Sequence, residues 1–321
     1  MRRRHLIGSA GSLVLARPGL AQTGGATRPI RLVVPFAPGG GVDAVARTVA
    51  QRLQDRFGIS VVVENRAGGS GTIGGQAVQQ AAPDGTTLLL SAATHVMARQ
   101  VLRRAPYDPL TDFTPIAQVG QAPLLLVMSP NRPATNITDI VADARQSPDR
   151  WTFAVAALGA PGHLATILFM KLAGLDLVVA PYRGTAPALT DVAAGNVQLL
   201  LDPILALLPL VQSGGVKGMA ITSRNRSALA RQVPTSAEAG MPGLEFASWY
   251  GVWGPKGMPA EVAARLEEML GEVMRDPAMV ERSASLGLEP VYAGQAEFAR
   301  LIAAEVARNT ELLRSVNFQP E

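Results

Sequence analysis

The sequence predicts an α/β protein of two lobes, each a mostly parallel sheet flanked by helices, the two joined by two crossover strands. Three observations carry that reading. Strand-like and helix-like runs alternate along most of the chain, the pattern of right-handed βαβ units. The strand-like runs number about nine, too many for one small sheet, and 321 residues suffice for two lobes of ordinary size. Two extended stretches, 115–130 and 245–255, are long enough to pass from one lobe to the other.

The elements follow in order. "IRLVVPF" (30–36) is apolar on both faces, as in a covered parallel strand. The loop Pro38–Asp43 carries three glycines and leads into an amphipathic helix over 42–57. Its residues Val42, Ala46, Val49, Leu53 and Phe57 recur at spacings of three and four, and Gly58 ends it. A strand (59–65), a second glycine loop (67–71), a short helix (72–82) and a strand (86–91) come next. Beyond 123–130, a strand, the order is helix 136–146, strand 151–157, loop 158–162, then a helix from His163. Strand 176–182, helix 185–194, strand 197–202, a helix from Pro203 and strand 216–223 complete the alternation. After 247–255 the chain turns helical, at 259–275, 277–286 and 295–315.

Residues 1–21 have a basic head (Arg2, Arg3, Arg4), a short apolar stretch and small residues ending at Ala21, the layout of a secretory signal peptide. The run from Arg2 to Leu6 also fits a twin-arginine signal. Four of the 29 Lys and Arg fall there, so the remaining 25 balance 25 Asp and Glu. The basic character therefore belongs to the leader, and no basic stripe suggests a nucleic-acid partner. No run reaches the roughly 18 apolar residues of a membrane helix; "LLLDPILALLPLV" is broken by Asp202, Pro203 and Pro209. The chain has no cysteine, which excludes disulfides and thiol chemistry.

Three strand–glycine loop–helix junctions, Pro38–Asp43, Gly68–Thr72 and Leu158–His163, place free helix N–H groups at the carboxyl end of a sheet. Such groups bind anions, and the anion is either a nucleotide phosphate or a small solute's carboxylate. One helix terminus contributes about 0.3–1 kcal/mol, whereas a micromolar site needs roughly 8 kcal/mol, so several must converge. For the nucleotide, Gly39 to Ala44 satisfies G-x-G-x-x-A and Gly69 to Gly74 satisfies G-x-G-x-x-G, with Glu64 at the end of the next strand. Against it, Pro38 abuts the first glycine. Spacing alone does not separate the two. The loop lacks G-K-[ST], the histidines (His5, His95, His163) show no metal-binding spacing, and Ser70 lacks the pattern of a nucleophile elbow.

"RPIRLVVPFAPGGGVDAVAR", "VVVENRAGGSGTIGGQAV", "AAPDGTTLLLS", "YDPLTDFTPIAQV", "PYRGTAPALTDVAAGNVQLLLD" and "PTSAEAGMPG" with "SWYGVWGPKGMP" resemble the tripartite tricarboxylate transporter substrate-binding proteins, also called the Bordetella uptake gene (Bug) family, in register from Arg28 to Arg308. The resemblance implies a type II-like, two-lobe periplasmic binding protein: a monomer with no cofactor and no catalytic step. It would close on a small carboxylate and deliver it to tripartite tricarboxylate-type membrane transporter subunits. The lobes would comprise 27–120 with 250–321, and 121–249. By the same resemblance the ligand-binding residues are Phe36, Pro38, Gly39, Gly40, Gly41 and Asp43 in the first loop, and Ser91, Thr94 and His95 after the third strand. In the second lobe they are Val155, Gly159, Ala160, Gly162 and His163, with Thr185 and Asp202 approaching beside them. Arg183 would be a carboxylate partner or a surface cation, and Trp249, Tyr250 and Trp253 packing at the lobe seam, with ligand contact as the alternative. Two departures bear on the ligand. The family usually has Ser or Thr where this chain has Gly41, and S-x-G-x-G-S where it has Val155 to Ala160. Apolar groups replacing hydroxyls point to a carboxylate with a more apolar body than citrate or malate. An exported NAD(P)-dependent oxidoreductase and a carboxylate sensor for a signalling partner are the alternatives.

Overall fold

The computed structural model describes residues 28–321. The signal peptide expected at 1–21 lies outside them.

The first half opens with β1 (Ile30–Val34), α1 (Gly41–Phe57), β2 (Val61–Asn65), α2 (Thr72–Gln79) and β3 (Thr87–Ala92), giving a parallel ladder in the order β2-β1-β3. α1 buries Val45, Ala46, Val49 and Leu53 against it. Gly58, in the left-handed region at φ 67°, closes the helix by donating its N–H to Gln54 O. The other half repeats the plan: β5 (Thr152–Val155), α6 (Pro161–Ala173), β6 (Val178–Pro181), α7 (Thr185–Ala194) and β7 (Leu199–Pro203), with parallel order β6-β5-β7.

Of the two crossover strands expected, at 115–130 and 245–255, the first pairs with strands of both halves; the second pairs only with β3 and with the first. β4 (Phe113–Met128) spans 16 residues. Its first part lies between β9 (Ala247–Pro255) and β10 (Glu289–Ala293), its second between β7 and β8 (Lys217–Ile221), all four antiparallel to it. The sheet is therefore mixed, and the expectation of mostly parallel lobes holds only for the outer strands. A strand that crosses the junction meets both halves on their inner edges and runs against them. The sequence reading also passed over β10 and two single-turn helices, α3 (Ala93–Val96) and α4 (Ala98–Val101). β10 has Pro290 and an irregular register between Glu289 and Tyr292, so it shows no alternation to read. β1 stops at Val34, two residues early, where Pro35 begins the turn into the glycine loop.

α8 (Ile204–Ser213), α9 (Ala260–Arg275), α10 (Pro277–Leu286), α11 (Gln295–Ser315) and α5 (Ile137–Gln146) cover the sheet. Trp151, Phe153, Phe169, Trp253 and Phe298 are fully buried beneath them. No helix of the described residues is long and apolar enough to cross a membrane.

Candidate functional site

The parallel strands of both halves point their carboxyl ends at one place, and the helices that follow start there. A cavity of about 30 Å³ lies between them, room for a carboxylate group or roughly two waters. From the first half it is walled by Phe36, by Gly40, Gly41 and Val42 at the start of α1, and by Ala92 and Thr94 at the start of α3. From the second half come Ala156, then Ala160 and Pro161 opening α6, Thr185 opening α7, and Asp202 and Pro203 preceding α8. Ser248 and Tyr250 reach in from β9.

No side chain caps α1, α6, α7 or α8, whereas Asn136 caps α5 and Asp276 caps α10, each through its side-chain oxygen. The first-turn N–H groups of the helices around the cavity remain available. The two lobes build this feature alike. In α1, Asp43 Oδ2 accepts from Gly39 N at 3.0 Å; in α6, His163 Nδ1 accepts from Gly159 N at 3.0 Å. In both, the third helical residue reaches back over a glycine in the left-handed region, at φ 85° for Gly39 and 74° for Gly159. That fixes each loop from behind.

Among the described residues, no Lys, Arg or His lines the cavity. Its one ionisable acid is Asp202, which is buried and accepts from Thr185 Oγ1 at 2.5 Å. Burial pushes its carboxyl up to about 7, against the lowering effect of the Thr185 hydroxyl. Gly162 permits the fit. A Cβ there would lie 2.1 Å from Leu201 O and 2.7 Å from Asp202 Oδ1. Tyr250 OH and Ser248 Oγ are buried without a hydrogen-bond partner. Burial raises the Tyr250 phenol, and the Asp202 carboxylate adds to the rise. Buried hydroxyls with no partner cost about 1–3 kcal/mol each, a debt that a bound oxygen would cancel. A side chain at position 41 would point its Cβ 3.2 Å from Tyr250 OH, so Gly41 leaves space that this phenol occupies.

The halves touch around the cavity. Ala37 N donates to Arg183 O at 3.0 Å and Leu158 N to Ser70 Oγ at 3.3 Å. Gly159 packs on Met97 and Val101, and Gly40 on Thr185. The profile of the tripartite tricarboxylate transporter family receptors (TctC) matches residues 45–318. This chain belongs to that family.

Among relatives of this receptor, BugT of Bordetella pertussis is 37% identical over 289 residues, covering 89% of either chain. The solved periplasmic binding protein BugD superposes with a TM-score of 0.87 at 34% identity, over 92% of this chain and 99% of that one. A second solved structure, R. palustris Rpa4515 with adipate, gives 0.88 at 36% identity over the same shares. The fold is thus that of the two-lobe periplasmic binding proteins.

Of the residues expected from sequence, the structure brings Phe36, Gly40, Gly41, Thr94, Ala160, Thr185 and Asp202 together on the cavity wall. The others lie around it. Pro38 and Gly39 are exposed on the rim, and Asp43 bonds outward to Arg47 Nε at 2.9 Å and Asn65 Nδ2 at 2.9 Å. Ser91 is buried on β3, and Val155 ends β5, its carbonyl accepting from Tyr182 N. Gly159 and Gly162 serve backbone packing. His163 is buried against Phe318, and burial draws it down to about 4. His95 packs edge-on against Phe113 and Trp253, with burial drawing it down to about 3. Arg183 is exposed and contributes its carbonyl alone. The second glycine loop sends only Ser70 across to Leu158. Sequence reasoning missed Ser248 as a wall residue and favoured lobe-seam packing over ligand contact for Tyr250, which lines the cavity.

Proposed function

We propose that this protein is a periplasmic receptor that closes on a small carboxylate and passes it to a membrane transporter of the tripartite tricarboxylate type. The observation that carries the reading is the convergence of four uncapped helix starts, from both halves, on a cavity that holds unpartnered hydroxyls and no cation. Those donors suit a carboxylate oxygen, and adipate in the relative at 36% identity belongs to the same chemical class. The receptor acts as a monomer, after export directed by residues 1–21, and has no catalytic step. Its lobes divide as 27–120 with 250–321, and 121–249. Contacts such as Ala37–Arg183 hold the closed form, and the body of a ligand enters when they part.

Apolar walls (Phe36, Val42, Ala92, Ala156, Ala160, Pro161, Pro203) favour a ligand whose body is apolar over one rich in hydroxyls. Mass spectrometry of what co-purifies with the periplasmic protein, followed by a thermal-shift panel, tests both claims. Aliphatic or aromatic carboxylates should raise Tm more than citrate or malate does; the reverse order sinks the apolar-body claim. A shift with NADH and none with any carboxylate would replace the receptor reading with the oxidoreductase. Loss of carboxylate uptake in a deletion strain separates a transport receptor from a sensor.

A further inference from the structure

A receptor for anions keeps an acid, and no base, inside its binding cavity. Asp202 stands at the end of β7 with Oδ2 already accepting from Thr185 Oγ1 and Oδ1 directed at the close approach of Gly162. The groups facing it from every packed element are few. From α7 there is Thr185, from α6 the backbone at Gly162, from α1 Gly41, from α8 the Pro203 turn, from β4 the apolar Leu125 paired with Asp202, and from β9 the Tyr250 phenol and Ser248 hydroxyl. The nearby ionisable side chains turn elsewhere: His163 to Gly159 N and Phe318, Asp43 to Gly39 N, Arg47 and Asn65. Among the described residues nothing positive lines the cavity to let Asp202 and a ligand carboxylate share about 30 Å³ as two anions. Two carboxylates in one dry site retain a proton between them.

We propose that Asp202 enters the closed site as a carboxylic acid, so that the receptor captures its ligand's carboxylate together with one proton. The inference rests on the carboxylate-receptor reading. The proton comes from solvent on closure, resides on Oδ1 because Oδ2 serves Thr185, and is donated as an O–H hydrogen bond to the ligand oxygen; it returns to solvent on opening. Asp202 is then the residue that sets charge selectivity. It accepts one carboxylate at the helix starts and rejects a ligand presenting a second anionic group there. Burial already holds this carboxyl at about 7 before any ligand anion is added, which supports the assignment.

The sign follows from linkage. A group whose affinity for protons is higher in the bound than in the free state makes binding weaken as pH rises. Isothermal titration with adipate and hexanoate between pH 7 and 8.5, above the range where the ligands' own carboxyls titrate, reads the effect. Wild-type Kd should rise toward about tenfold per pH unit, with uptake of close to one proton per ligand shown by the dependence of enthalpy on buffer. Asp202→Asn, which fixes the neutral form, should bind with a flat profile and no uptake. Wild-type Kd varying less than about twofold, without uptake, overturns the proposal while leaving the receptor reading intact. Binding that strengthens with pH, or a preference for amino acids over simple acids, means that Asp202 stays ionised to pair with an ammonium, and overturns it also. No binding of either probe, or of any carboxylate in the panel, overturns the receptor reading itself. The buffer measurement needs only wild-type protein, so a poorly folded variant does not blunt the test.

Discussion

Gly162→Ala sets two effects of opposite sign against each other. In the first turn of α6, Ala in place of Gly gains up to about 1 kcal/mol of helix propensity. The packing works against it. The added Cβ would sit 2.1 Å from Leu201 O and 2.7 Å from Asp202 Oδ1, the first a backbone atom in the middle of β7. That is more than about 1 Å inside an ordinary contact, and no rotamer relieves it. Either α6 lifts from the sheet or β7 bends, at the upper end of the roughly 1–3 kcal/mol that overpacking costs. The net loss is about 2 kcal/mol, or about 3 °C in Tm for a chain of this size. Because Ala160 and Pro161 ride on the same turn, lifting it widens the cavity and weakens carboxylate binding as well. Thermal denaturation with and without ligand measures both. Gly174→Ala at the other end of α6 is the control: nothing lies within 4 Å, and only its φ of 61° resists a side chain. It should lose about 1 kcal/mol and keep its affinity. A Gly162→Ala protein as stable as wild type would show that propensity wins, and that α6 does not press on β7 as described.

Three further outcomes follow from the same geometry. Tyr250→Phe removes a buried hydroxyl that no protein group satisfies, so Tm should hold or rise while carboxylate Kd weakens by about tenfold; unchanged affinity would remove this phenol from the site. His95, buried and neutral, opposes unfolding above the unfolded-state value of about 6.5, and that stability is lost as pH falls toward about 3. His95→Phe should therefore lose about 2 kcal/mol less than wild type between pH 6.5 and 5 in urea melts; Asp202 shifts in the opposite direction but is common to both proteins. Parallel pH profiles would refute the assignment. Ser70 holds a left-handed φ of 51° while its hydroxyl accepts from Leu158 N across the cleft. Ser70→Gly should relieve about 1 kcal/mol of strain yet loosen closure, seen as a larger radius of gyration in ligand-free scattering and faster ligand release; an unaltered release rate would refute the latch.

Alternation of strand and helix was readable because each parallel strand is apolar on both faces and each covering helix shows its period. The direction of β4 was not, since pairing partners leave no local mark on a strand buried on both sides. The glycine loops were legible for steric reasons, and Phe36, Gly40 and Gly41 do reach the cavity. Asp43 and His163 show the limit of residue-type reasoning. Both have ligand chemistry, and both spend it on a glycine N–H four residues earlier, a use visible only once the helix start is located. Ser248 and Tyr250 show the converse. Within "ASWYGVWGP" they read as core, and every residue of β9 after Ala247 is indeed buried. Their hydroxyls become site groups only because the fold supplies no partner.

The absence of a cation from the cavity wall ties affinity to closure. A single arginine would hold a carboxylate in the open form, whereas here each half brings a share that is weak alone. α1 and its glycine turn belong to one half, α6, α7 and α8 to the other. A helix start contributes about 0.3–1 kcal/mol, rising to ~2 when partly buried, so the two sets together approach the roughly 8 kcal/mol of a micromolar complex only after water is excluded. Charge-assisted bonds from Tyr250 and Ser248, at about 1.5–3 kcal/mol each, add to the total only when the ligand oxygen reaches them. An open receptor thus retains too little to hold its ligand, and a closed one holds it by both halves at once. On the proposed reading, binding and closure become one equilibrium, and parting the halves releases the ligand without breaking a buried ion pair.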